Sequence, residues 1–235
     1  MAKQDPAPFY SDKTKLLVVI GADGKAQPIT AAADWPRRRA HILASLQQVM
    51  GPMPPEDRKV PPDVQVYDEV KLQKYVRKTL SFASEAGDRV PAFLLVPHGT
   101  KSRVPAMLCL HQTTAIGKQE PAGMGVRNLA YAAELAERGM VTLAPDYPGF
   151  GDYKIDVYAK GYLSATMKGI WNHRRAVDLL QSLPEIDAGR IGVIGHSLGG
   201  MFALWNMAAG SRRISGLVAI GEPAVALPGL SLIHI

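Results

Sequence analysis

The sequence predicts an α/β fold, with a mostly parallel sheet and helices on both faces. Three observations carry that expectation. Beyond residue 63, short strand-like runs alternate with longer runs of helical period. Ala106–Leu110 is an unbroken apolar stretch, as a central strand covered on both faces requires. The stretch Gly195-His196-Ser197-Leu198-Gly199 stands between a β-like run, 190–194, and an apolar helical run, 200–209. That is the strand–turn–helix setting of a G-x-S-x-G elbow, where glycines let strand and helix close around an exposed serine. Parallel strands need right-handed crossovers, and these place helices on both faces.

Residues 1–62 read as an N-terminal extension and 63–235 as the core domain. In the extension, Lys15–Ile20 is a candidate strand, followed by a turn at Asp23-Gly24. Asp34 fits a helix N-cap, with Pro36 in the first turn where its missing N–H costs nothing. Ile42, Leu43, Leu46, Val49 and Met50 recur at helical spacing until Gly51-Pro52. Five prolines in 51–62 suggest a stiff linker. The core opens with candidate strands 64–72, 75–83, 91–96 and 106–110. Val126, Leu129, Ala130, Ala133 and Ala136 form a helical stripe ending at Gly139, and 140–144 is the next strand. Ile170, Trp171, Val177, Leu180 and Leu183 form a second stripe, stopped at Pro184. The elbow follows, then a last strand, 214–220.

Composition narrows the function classes. The 235 residues are 47% hydrophobic and 20% charged with net charge +6, ordinary for a globular protein. The one dense basic run, Arg37-Arg38-Arg39, lacks interleaved aromatics and reads as a solvated helix face, so nucleic acid is not an expected partner. The single cysteine, Cys109, lies in an apolar run and reads as a small buried hydrophobe. No zinc-ligand spacing, membrane-span-length segment or apolar signal-peptide core is visible, so a soluble chain without metal is expected, with the cytoplasm the favoured compartment. Oligomeric state leaves no mark in the sequence.

A serine hydroxyl needs a base, a group that orients the base, and donors for the oxyanion. Ser197 is the candidate nucleophile. The backbone N–H of Leu198, opening a helix, is the first candidate oxyanion donor. The second is expected from the loop Leu110-His111-Gln112-Thr113-Thr114, as the backbone N–H of Thr113 or of Gln112. The turn 146–152 (DYPGFGD) sits where open α/β sheets bind ligands, and Tyr147 or Phe150 either lines a substrate pocket or covers the sheet edge. His111 and His196 fit structural roles beside the site, and His41, His98 and His173 read as surface or packing residues.

Over roughly residues 64–222 the chain resembles the α/β-hydrolase superfamily, nearest the dienelactone hydrolase and acetyl-xylan-esterase-like branch. The segments RVPAMLCLHQTT, ERGMVTLAPDYPGFGD and RAVDLLQSLPEIDAGRIGVIGHSLGG carry the resemblance. It implies serine-dependent hydrolysis of small-molecule or carbohydrate esters without metal or organic cofactor. It makes Ser197 the nucleophile, Leu198 an oxyanion donor and the Gln112-Thr113 loop the source of the second. Where the family often has His-Gly, this chain has His111-Gln112, and Gln112 carries a Cβ.

In this fold the acid and then the histidine follow the serine in the chain. Here 38 residues follow Ser197, with Glu222 as their only acid and His234 as their only histidine. Glu222 follows the last strand, where some family members place their acid, but reads more simply as a turn residue at a strand end; His234 is a poor candidate for the base, because the family places further strands and a loop before its histidine. The tail 230–235 (LSLIHI) resembles read-through into adapter DNA. The chain is therefore expected to be the N-terminal part of an ester hydrolase whose last strands and helices are missing, with strand 214–220 left as an apolar edge. The alternatives are a serine peptidase of the same fold and a non-catalytic binding module.

Overall fold

In the computed structural model, residues 7–100, 102–208 and 213–220 are described. They divide into two compact units, 7–52 and 53–220. The first holds a small antiparallel pair, β1 (Val18–Ile20) and β2 (Ala26–Pro28), and a helix, α1 (Trp35–Met50). The Asp34 carboxylate accepts the N–H groups of Thr30 and Ala31, folding the chain into α1, and Gly51 closes the helix at φ 96°. The Arg37–Arg39 run departs from its expected solvated face at one position. Arg38 is buried, its guanidinium 3.6 Å from the centre of the Tyr10 ring. An arginine stem and planar head lose little by stacking on an aromatic face. Tyr10 also bonds to His41 Nδ1 (2.8 Å) and accepts the Ile20 N–H (3.1 Å).

The second unit is a seven-stranded sheet with helices on both faces. Its strands are β3 (Gln65–Lys71), β4 (Tyr75–Glu85), β5 (Asp88–Pro97), β6 (Val104–Leu110), β7 (Val141–Pro145), β8 (Ile186–His196) and β9 (Gly216–Ile220), in spatial order β3-β4-β5-β7-β6-β8-β9. The half that carries the elbow, β7, β6, β8 and β9, is parallel, as expected. The other half is antiparallel: β3, β4 and β5 form a meander, and β5 runs antiparallel to β7. The links 72–74 and 86–87 are too short for a crossover, so these strands can only fold back on their neighbours.

Helix α2 (Tyr131–Glu137) covers one face. There Tyr131, Ala132, Ala133 and Ala136 pack on Phe93, Leu95, Cys109, Ala144 and Ile194. Its small side chains let the helix backbone approach the sheet, and Thr142 Oγ1 donates to the Ala132 carbonyl. Helices α3 (Ala165–Ser182) and α4 (Leu198–Ala208) cover the other face. Ser164 caps α3 through the Met167 N–H, and Trp171, fully buried, donates its indole N–H to the Ser84 carbonyl. Cys109 is fully buried at the sheet centre, and burial pushes its thiol pKa up.

The stripe expected as one helix over 126–136 is helical only from Tyr131. Before it, 120–129 is an irregular turn followed by a short tight helix. The cause is Glu120, a buried carboxylate that accepts the Val126 N–H (2.6 Å) and the Thr114 hydroxyl (3.1 Å). A side chain that satisfies backbone donors locally competes with helix formation.

Two buried ammonium groups anchor the long segment between β7 and α3. Lys118, 1% exposed, bridges Asp146 (2.7 Å) and Asp152 (2.5 Å). Lys168, fully buried, bridges Glu85 (2.7 Å) and Asp88 (2.6 Å), which also accept the hydroxyls of Tyr162 and Tyr153. Buried charges persist only when paired and hydrogen-bonded. These two clusters therefore fix both ends of the segment that carries Tyr147 and Phe150.

Candidate active site

The site is built where β8 turns into α4. Ser197 adopts φ 51°, one of two non-glycine residues with positive φ among those described, and its side chain is exposed. L-residues pay about 1–2 kcal/mol for this left-handed conformation. Neighbouring atoms enforce it. The Ser197 N–H donates to the Ile220 carbonyl (2.7 Å), and its own carbonyl accepts the Met201 N–H (3.1 Å). The flanking glycines make the turn possible. A Cβ on Gly195 would overlap the Gly199 backbone, and one on Gly199 would overlap the Leu110 carbonyl oxygen.

That second contact assembles the site. It seats the end of β6 directly against the first turn of α4, with the Leu110 and His111 carbonyl oxygens facing Gly199. Leu198 is the first residue of α4, so its N–H has no acceptor within the helix and lies at the positive end of the dipole. Gln112 and Thr113 follow β6 immediately, and the Gln112 Oε1 is buried without a partner among the described residues. The structure thus sets Leu198 directly after Ser197 at the start of α4, and Gln112 and Thr113 directly after the strand end that packs on Gly199. Glu222 and His234 lie outside the described residues.

Tyr147 is buried, its ring centre 4.6 Å from that of Phe202 and 5.5 Å from that of Phe150. Phe150 in turn meets His111 edge-on at 5.8 Å. The aromatic turn therefore packs against the elbow helix and against the loop after β6.

The sequence marks His111 only as fitting a structural role, and its wiring has no sequence signal. It is 4% exposed. Its Nδ1 lies 2.6 Å from the Gln112 carbonyl oxygen, and its Nε2 accepts the Tyr147 N–H at 3.1 Å. Burial lowers its pKa, with Lys118 adding to the effect; the Gln112 carbonyl, Asp146 and Glu120 act in the opposite direction. His173, buried in α3, is pushed down to about 3 by burial and by His111, and its Nδ1 faces the Asn206 amide at 2.9 Å. His98 Nε2 bonds the Leu72 carbonyl. Among the described residues no histidine nitrogen is hydrogen-bonded to Ser197 Oγ, and no cluster of three or more His, Cys, Asp or Glu is arranged to hold a metal.

A cavity of about 290 Å³ lies on the α2 side of β8, lined among others by Leu129, Tyr131, Leu135, Ile194, His196 and Ile220. Ser197 is not in its lining. It is a gap beside α2, and the chemistry-bearing groups gather elsewhere.

The order β5-β7-β6-β8-β9, with a left-handed serine between β8 and α4, matches one architecture. Residues 121–233 match the model of the alpha/beta hydrolase family. The chain has the α/β-hydrolase fold. The chain is 26% identical over 189 residues to YtaP of Bacillus subtilis, a protein named as a hydrolase, covering 74% of this chain and 61% of YtaP. Among solved structures it superimposes on a glucuronoyl esterase from Solibacter usitatus with TM-score 0.63 at 22% identity, covering 90% of this chain and 63% of the esterase. A Bacteroides fragilis protein assigned as an acetyl xylan esterase aligns with TM-score 0.61 at 18% identity, covering 74% of this chain and 50% of that one. The chain thus spans less than two thirds of the length of each of these relatives. No helix among the described residues is long and apolar enough to cross a membrane.

Proposed function

We propose that this α/β hydrolase is a serine hydrolase of carboxylic esters, of the dienelactone hydrolase and acetyl-xylan-esterase-like branch, acting on small-molecule or carbohydrate esters. One observation carries the reading: Ser197 is held exposed in a left-handed turn that flanking backbone enforces, at the positive end of α4. A strained, over-determined residue in such a place is the mark of a working site rather than of packing. In the reaction, Ser197 Oγ attacks the ester carbonyl carbon and gives its proton to a histidine base. The Leu198 N–H and an N–H of the Gln112-Thr113 loop hold the oxyanion. The C–O bond to the alcohol breaks as the base returns the proton to the leaving oxygen. Water then attacks the acyl-serine, releasing the acid and restoring the serine. The esterase names carried by the structural neighbours support the ester as the bond.

The test is hydrolysis of p-nitrophenyl acetate and of a peptide p-nitroanilide by the whole protein and its Ser197→Ala variant. The reading expects ester turnover, with loss of at least about 10³-fold in kcat on removing the serine. Preferential cleavage of the anilide would make the protein a peptidase instead. Turnover of neither substrate would favour a binding module, and an active Ser197→Ala variant would displace the nucleophile.

A further inference from the structure

The loop after β6 offers two candidate second oxyanion donors, and its wiring separates them. Resting on the ester-hydrolase reading, we infer that the donor is the Thr113 N–H, and that His111 is the positioning residue that aims it.

The argument runs through two planar peptides. A carbonyl oxygen can only accept, so the His111 Nδ1 facing the Gln112 carbonyl at 2.6 Å carries the hydrogen. A backbone N–H can only donate, so the Nε2 facing the Tyr147 N–H carries the lone pair. Two obligatory partners thus fix His111 as the neutral Nδ1–H tautomer. The Gln112 carbonyl is thereby pulled toward a buried ring. In a trans peptide the N–H points opposite to the carbonyl, and no cis bond occurs among the described residues. The Thr113 N–H therefore points away from His111, toward the open side of the loop, where Thr113 is exposed.

The preceding peptide has the reverse orientation. The His111 carbonyl oxygen approaches the elbow, 2.8 Å from where a Gly199 Cβ would stand. The Gln112 N–H, opposite to that carbonyl, points away from the elbow. Of the two donors, only that of Thr113 is free to face a substrate held at Ser197.

Three His111 variants test the clasp. In His111→Asn the side-chain amide sits near the Nδ1 position and can donate to Gln112. In His111→Gln it reaches the Nε2 position, accepts from Tyr147 and leaves Gln112 untethered. His111→Ala loses both bonds. For p-nitrophenyl acetate, the Gln and Ala variants should lose up to about 10²-fold in kcat with KM unchanged, the cost of one oxyanion donor, and the Asn variant should recover most of it. Equal kcat in the Asn and Gln variants, or losses that track melting temperature alone, would overturn the role of His111.

Replacing the residue-113 amide by an ester, through the α-hydroxy analogue of threonine, removes the N–H alone. It should lower kcat as strongly, whereas the same change at Gln112 should not. The reverse pattern would assign the donor to Gln112. The imidazole ¹⁵N spectrum reads the tautomer without turnover: Nδ1–H supports the clasp, and Nε2–H sinks it. An active Ser197→Ala variant would refute the ester-hydrolase reading itself, while the ¹⁵N spectrum still judges the clasp.

Discussion

On the proposed ester-hydrolase reading, function and stability are opposed at Ser197. Holding a serine at φ 51° costs about 1–2 kcal/mol, and glycine would not incur it. Glycine gives back about 0.5–1 kcal/mol in chain entropy, so Ser197→Gly should stabilise by up to about 1.5 kcal/mol while abolishing hydrolysis. Urea denaturation beside the ester assay checks both, and a destabilised variant would mean that the turn is relaxed around its serine. Two residues later, Gly199→Ala has no room, because its Cβ would overlap the Leu110 carbonyl. Overpacking of this kind costs typically about 1–3 kcal/mol, and here it would also push the loop after β6 away from the elbow, so activity should fall further than stability alone explains. His173 sets a pH dependence. Its folded pKa, about 3, lies below its ordinary value of 6.5, so between them the unfolded chain binds the extra proton. Stability should fall as pH drops from about 6.5 toward 3, by at most about 1.4 kcal/mol per pH unit from this residue. In denaturant melts at pH 7 and 5, His173→Gln should flatten that slope.

Among the elements, the segment between β7 and α3 illustrates what a sequence conceals. Nothing in the chain marks Lys118 or Lys168 as buried, because their acidic partners sit 28 and 83 residues away. Only the folded sheet brings Glu85 and Asp88 under α3. Lys168→Met would leave two buried carboxylates without their shared cation and should cost about 3–5 kcal/mol, measurable by thermal or urea unfolding. Asp88 sharpens the effect. Burial opposes its charge, yet Lys168, Ser84 and Tyr153 outweigh burial and hold its pKa below the ordinary value. Its contribution is therefore present at neutral pH and lost as pH falls through the carboxylate range. The elbow was legible because its motif is local and its flanks have clear periods. The stripe over 126–136 misled, because a buried carboxylate, Glu120, diverts the backbone before Tyr131 and periodicity cannot register it. The antiparallel half of the sheet was latent in the short links 72–74 and 86–87, which hydrophobic alternation alone does not weigh.

For the molecule as a whole, the sheet ends among the described residues at β9, which is paired on one side to β8 and shows Val218 at 44% and Ile220 at 43% exposure. An apolar strand with one ladder edge unpaired among the described residues is a template for another chain. Val218→Lys should reduce concentration-dependent association in light scattering while changing unfolding little. Unaltered association would place the sticky surface elsewhere. The α/β class and the strand–turn–helix setting of the elbow were readable in the sequence because both rest on contiguous segments. The clasp on His111 was not, since it ties residues 36 positions apart through a backbone N–H that carries no side-chain identity.

Cys109 supplies a built-in clock. It is the only thiol in the chain, fully buried, and one residue before the carbonyl that Gly199 packs against. Its labelling by a thiol reagent has to wait for the centre of the sheet to open, with no engineered probe or background to subtract. The labelling rate thus times the opening of the same strand that seats the loop beside Ser197, and a ligand that tightens that loop would be seen as a slower clock.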